Sequence, residues 1–197
     1  MTGTVPSSLA KNETTQRRLL IVASGSITTV SLPGYLTAFR FVLPAEVRVI
    51  LTRSGAKMLA QPVMSYFCDA AYDDENPGPG HVELARWPEA ILVLPATANT
   101  IANIASGFAG DLATTVLLAS MCPVIVFPVM NRQMWEKPSV QRNLKTVEAD
   151  GVRVVRPDIR MGYEIASKSM QENPMLPNAE DCMNVIRESL SARGESA

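Results

Sequence analysis

The chain has 197 residues, 47% of them hydrophobic, with 18 basic and 19 acidic side chains. That length suits one well-buried domain and is short for two, and the composition excludes a disordered chain. The charges nearly cancel and form no basic stripe, so nucleic acid is not an expected partner. No apolar run reaches the roughly 20 residues that a membrane-spanning helix needs, so no membrane is expected either.

Residues 1–16 are polar and lack the apolar centre of a signal peptide. They are expected to form a disordered tail ahead of a single domain over 17–197. Three widely spaced cysteines, Cys68, Cys122 and Cys182, with no CxxC pair, fit reduced thiols in a cytoplasm.

The first of five short Val/Ile/Leu-rich runs covers 19–23, and the others cover 47–51, 91–94, 124–127 and 152–155. None alternates with polar residues, which is the pattern of strands buried on both faces of a parallel sheet. The first run ends in Gly25, Ser26 and Ile27. Gly25 permits a tight turn, and Ser26 offers a hydroxyl where a phosphate can bind, although the same residues also serve simply as turn and cap. No GxGxxG fingerprint is present. A helix is expected next, since Leu32, Tyr35, Leu36 and Phe39 share one helical face and Pro33 fits a first turn.

The second strand ends in Thr52, Arg53, Ser54 and Gly55, hydroxyls placed either for a ligand or for a helix cap. Residues 73–80 (DDENPGPG) form a turn-rich loop just before His81, the single histidine and so the only imidazole available for catalysis. The next strand ends in Pro95, Ala96, Thr97, Ala98, Asn99 and Thr100. Small side chains there let a flat ring approach the backbone, while Asn99 and Thr100 can bond its edge. Three successive strand ends of this kind favour one shared ligand over three separate caps.

The fourth end reads PVMNRQMW over 128–135. Asn131 lies among Met and Trp side chains, a polar amide in an apolar cup, suited to a carboxylate that sheds water before losing carbon dioxide. Val140, Leu144 and Val147, and later Met183, Ile186 and Leu190, repeat at helical spacing. Between them, residues 167–178 are polar, carry two prolines and show no period, so they are expected as a mobile lid. Strands alternating with helices predict a single α/β domain: a doubly wound, mostly parallel sheet with helices on both faces.

PATANT (95–100) and PVMNRQMW (128–135) together resemble the paired signature of the homo-oligomeric flavin-containing cysteine decarboxylases, P-A-S/T-A-N-T followed by P-x-M-N-x-x-M-W. The intervening IANIASGFAGDLATT, the following EKPSVQRN and His81 in GHVELARW are similar as well, and the likeness spans residues 19–157. The resemblance implies FMN as cofactor, held by Gly25, Ser26, Ile27, Thr52, Ser54 and residues 95–100. It implies His81 and Asn131 as catalytic residues, Asn131 and Met134 as substrate contacts, and trimers grouped into a dodecamer.

The family chemistry passes a hydride from the cysteine Cβ to FMN while the thiol loses its proton. The resulting thioaldehyde loses carbon dioxide to give an enethiol. His81 would assist the thiol proton's departure and Asn131 would hold the carboxylate. The chain lacks the G-x-G-R-M flap of phosphopantothenoylcysteine decarboxylases. Residues 158–178 and YFCDAAYDD (66–74) instead resemble the lantibiotic-type branch, whose substrate is a precursor peptide with a C-terminal cysteine. The alternatives are the phosphopantothenoylcysteine enzyme of coenzyme A biosynthesis and a non-catalytic FMN-binding regulatory subunit.

Overall fold

The computed structural model describes residues 16–164 and 167–194. The expected tail therefore lies, except for Gln16, outside the described residues. Six strands form one parallel sheet: β1 (Arg17–Ala23), β2 (Ala45–Leu51), β3 (Ala70–Tyr72), β4 (Ala90–Ala96), β5 (Val124–Pro128) and β6 (Arg153–Val154). Their spatial order is β3-β2-β1-β4-β5-β6. The order reverses direction between β1 and β4, and in open α/β sheets the crevice at that reversal takes the ligand.

The five apolar runs all lie on strands, and both faces are covered at the centre of the sheet, while the edge strand β6 is only partly buried. On one face Leu19, Ile21 and Ala23 pack against Leu32, Leu36 and Phe39 of α1 (Leu32–Val42) and against Met183, Ile186 and Leu190 of α9 (Ala179–Gly194). On the other, Leu20, Val22 and Val93 meet α4 (His81–Arg86), α5 (Ala98–Ser106), α6 (Leu112–Ala119) and α8 (Pro138–Ala149). Every residue of β4 is buried. Pro33 sits in the first turn of α1, where its missing N–H costs no bond.

Short helices α2 (Arg53–Met58), α3 (Gln61–Met64) and α7 (Arg132–Trp135) complete the loops. Among the described residues no helix is long and apolar enough to cross a membrane.

The segment 167–178, read as aperiodic, is not a featureless loop. Ser169–Met175 is strand β8, paired antiparallel with β7 (Asp158–Glu164) in a separate two-stranded sheet. The hairpin hides few side chains on either face, so it leaves no alternation to read. Its base is fixed to the body by the Tyr35 hydroxyl, which donates to Pro177 O at 2.7 Å. Within the hairpin's stem Arg160 donates to Leu176 O at 2.8 Å.

Candidate active site

Backbone bonds first gather the carboxyl ends of four strands. Thr52 N donates to Ala23 O at 3.0 Å, Ser24 N to Pro95 O at 3.2 Å, and Val129 N to Ala96 O at 2.9 Å. Ser24 tightens the join: its buried hydroxyl donates to Pro95 O at 2.7 Å and accepts from Thr97 N at 2.9 Å. The turns after β1 and β2 touch through glycine. A Cβ on Gly25 would lie 2.3 Å from Ser54 Cβ, and one on Gly55 would lie 2.4 Å from Ala23 O. Only a bare backbone permits this approach.

The gathered ends enclose a cleft of about 510 Å³, within the roughly 300–1,000 Å³ range of small-molecule and cofactor sites. Of the residues singled out from sequence, Gly25, Ser26, Thr52, Ser54, Thr97, Ala98, Asn99, Thr100 and Met134 line it. The hydroxyls also do the capping work that was their simpler reading. Ser26 accepts from Thr28 N, Thr52 from Gly55 N and Thr97 from Thr100 N. Cap and ligand wall are therefore compatible at all three ends. Pro95 and Ala96 are buried in β4 beneath the cleft and do not line it.

A second cleft, also of about 510 Å³, opens beside the first under the β7–β8 hairpin. The two share Ser26, Val129 and Met130 as a common wall. Ile27 and Asn131 face this second space, together with Tyr35, Tyr163 and Met175. Asn131 caps α7: its Oδ1 accepts from Met134 N at 2.8 Å. That uses the acceptor side of the amide and leaves its NH₂ as donor, the polarity a carboxylate requires. The loop is also tied to the hairpin. Arg132 N donates to Asn173 Oδ1 at 3.0 Å, and the Arg132 guanidinium donates to Glu172 Oε2 at 2.7 Å.

His81 stands apart. It is exposed at the start of α4 and lines neither cleft. Gly80, before it, has φ +88, a left-handed value that sets the chain's entry into the helix. Arg53, Asn103, Phe108, Asp111, Val129 and Met130 line the first cleft although sequence reasoning did not select them. Asn103 stands one helical turn after Asn99, a spacing that could have flagged it. Ser24, locked between β1 and β4, carried no signal beyond its place at a strand end.

Cys68 and Cys182 are buried free thiols. Burial pushes Cys68 up to about 11, helped by the Asp69 charge, and Cys182 up to about 12, helped by Asp181. Neither is a nucleophile near neutral pH.

Comparison with known proteins converges on this architecture. A family described as Flavoprotein matches residues 7–183. The epidermin decarboxylase of Staphylococcus epidermidis is 34% identical over 170 residues, covering 86% of this chain and 93% of that protein. The mersacidin decarboxylase of a Bacillus species is 33% identical over 180 residues, 90% of this chain and 92% of its own length. Among solved structures, an EpiD variant complexed with the substrate peptide DSYTC superposes with TM-score 0.80 at 34% identity, over 86% of this chain and 97% of the other. The FMN-dependent cysteine decarboxylase TvaF from thioviridamide biosynthesis superposes with TM-score 0.69 at 33% identity, over 72% of this chain and 91% of the other.

Proposed function

The chain belongs to the Flavoprotein family, and from that premise we propose that it is an FMN-dependent peptidyl-cysteine decarboxylase, acting on the C-terminal cysteine of a precursor peptide. One observation carries the reading: two clefts meet at Ser26, Val129 and Met130, one lined by the hydroxyl-bearing strand ends and the other lying under the hairpin. The relatives that match nearly end to end are named as decarboxylases, one matching structure is named a peptidyl-cysteine decarboxylase, and another holds a peptide ending in cysteine.

The residues present fit FMN. The close Gly25–Ser54 approach brings the hydroxyl-bearing turns after β1 and β2 together on one wall of the cleft, and the small Ala98 beside Thr97 and Asn99 leaves room for a ring. Bound FMN supplies a two-electron acceptor for oxidation of the cysteine side chain. The chain does the rest. Asn131, through its free amide donor, holds the terminal carboxylate at the shared wall, where Val129 and Met130 exclude water. His81 takes the thiol proton, a role that suits an imidazole near neutral pH. The hairpin, latched by Arg132 to Glu172 and Asn173, covers residues of the peptide upstream of the cysteine.

His81 can serve this site only from another copy, because in its own subunit it faces solvent away from both clefts. The exposed apolar side chains Val82, Leu118 and Met121, on α4, α6 and the loop after α6, suit such a contact. The family resemblance implies a trimer or dodecamer, and we propose that in such an assembly the site is completed across the contact. Three widely spaced cysteines with no CxxC pair suit a cytoplasmic location.

The test is mass spectrometry of candidate peptides after incubation with the yellow protein. A peptide ending in cysteine should lose one carbon dioxide and two hydrogens. Its C-terminal amide and its serine analogue should stay intact, and phosphopantothenoylcysteine should turn over poorly. Turnover of phosphopantothenoylcysteine alone would assign the chain to coenzyme A biosynthesis instead.

A further inference from the structure

The cleft assigned to FMN contains one cation whose task is open. Among the described residues that line it, Arg53 is the sole positively charged side chain. It is the first residue of α2, between Thr52 and Ser54, and so stands beside the place where the turns after β1 and β2 meet through Gly25. Its guanidinium is 74% exposed and held by a single contact, Nη2 to Asp74 Oδ2 at 3.3 Å. That bond is long for a charged pair and engages one of the five donors of the fork.

The other charge in the cleft wall, Asp111, is already engaged. Its carboxylate accepts from Thr114 N at 2.8 Å and from the Thr114 hydroxyl at 2.6 Å, closing a capping box on α6. Asp74 is likewise fixed from behind, since its Oδ1 accepts from Leu112 N at 2.9 Å. Asp74 thus holds the arginine at the cleft rim through one of its donors.

We propose that Arg53 binds the phosphate of the cofactor and selects the phosphorylated flavin over the unphosphorylated one. This rests on the FMN reading above. A phosphate monoester brings nearly two negative charges into the cleft; the turn hydroxyls, which accept backbone N–H groups as caps, can still donate to its oxygens, but being neutral they cannot offset that charge. A guanidinium meets phosphate oxygens bidentately, and at the cleft rim it adds both attraction and geometry. The flavin ring, by contrast, would be held by the small residues 97–100 and would need nothing from Arg53.

Two flavins separate the contributions. Apoprotein is titrated with FMN and with riboflavin, following quenching of flavin fluorescence, for the wild type, Arg53→Ala and Arg53→Lys. FMN affinity should fall about 10-fold or more in Arg53→Ala, the scale of a lost hydrogen bond to a charged group, while riboflavin affinity stays within twofold. Arg53→Lys should fall between, keeping charge but not the fork. The salt dependence of FMN binding should flatten in Arg53→Ala. Equal losses for FMN and riboflavin, or an unchanged FMN affinity, would overturn the assignment. Wild-type apoprotein that binds neither flavin would overturn the FMN reading itself, and this assignment with it.

Discussion

The hydroxyl of Ser24 donates to the carbonyl of Pro95 at 2.7 Å, across 71 residues of sequence. It accepts from Thr97 N at the same time and is buried. One small side chain therefore fixes the PATANT turn against the end of β1, at the point where the strand order reverses. Ser24→Ala leaves Thr97 N without its acceptor. The expected cost is about 1–3 kcal/mol, seen as a melting temperature lowered by a few degrees, with weaker FMN retention. An unchanged melt and cofactor content would mean the bond positions nothing.

The Gly25–Ser54 approach makes a sharper steric prediction. Gly25→Ala places a methyl 2.3 Å from Ser54 Cβ. Pushing the two turns apart is expected to cost about 1–3 kcal/mol, the range for overpacked sites, and to strip FMN. The double variant Gly25→Ala/Ser54→Gly removes the atom nearest the clash and should regain part of the cofactor, measured by absorbance of the purified protein. No regain would show that Ser54 also holds the cofactor directly.

His81→Asn should keep its fold and its FMN, because His81 lines neither cleft. Turnover should fall by roughly 10²–10⁴, the usual contribution of a general base. Mixing His81→Asn subunits with Asn131→Ala subunits gives an informative second measurement. If the site is completed across subunits, mixed oligomers recover some activity that neither variant shows alone, and no recovery would place both residues in one subunit's site.

The hairpin latch predicts a split in kinetic constants. Arg132→Ala removes the bond to Glu172 but keeps the backbone N–H that reaches Asn173. The guanidinium is exposed, so protein stability should barely move. KM for a cysteine-ending pentapeptide should rise several-fold while that for a dipeptide changes little. A uniform effect on both would remove the hairpin from peptide recognition.

The buried thiols set an alkaline limit. In the unfolded chain each titrates near 9.0, whereas in the fold Cys68 is pushed up to about 11 and Cys182 up to about 12. Below 9 both states hold the protons, so stability is unaffected. Between 9 and 12 the unfolded state releases them first, and stability falls as pH rises. Urea midpoints should drop from pH 8.5 to pH 10.5, and Cys182→Ala should make that drop shallower. An equally steep drop in the variant would assign the alkaline limit to other groups.

Much of this was legible from the residues. Strands such as 19–23 and 91–94 are buried on both faces and so announce themselves by continuous apolar composition. Leu32, Leu36 and Phe39 are periodic because one face of α1 meets the sheet. The cleft wall was legible where strand-end turns carry hydroxyls, as at Ser26, Thr52 and Thr97, which cap helices and line the cleft. Three parts were not. Strand β3 is three residues long at the sheet edge, too short to show a pattern. The β7–β8 hairpin is largely exposed on both faces, so burial imposes no alternation on it. Ser24, which bridges β1 and β4, and Arg53, at the cleft rim, owe their places to how the chain folds, which no local pattern encodes.

The central claim is the reaction, and high-resolution mass spectrometry of one peptide tests it most directly. The FMN-loaded protein is incubated aerobically with a short peptide ending in a free cysteine, alongside the same peptide as its C-terminal amide. The account predicts that the free acid loses one carbon dioxide and two hydrogens to give an enethiol, trapped by a thiol-alkylating reagent, while the amide is recovered unchanged. Recovery of both peptides intact from protein that has retained its FMN, across several peptide sequences, would contradict it.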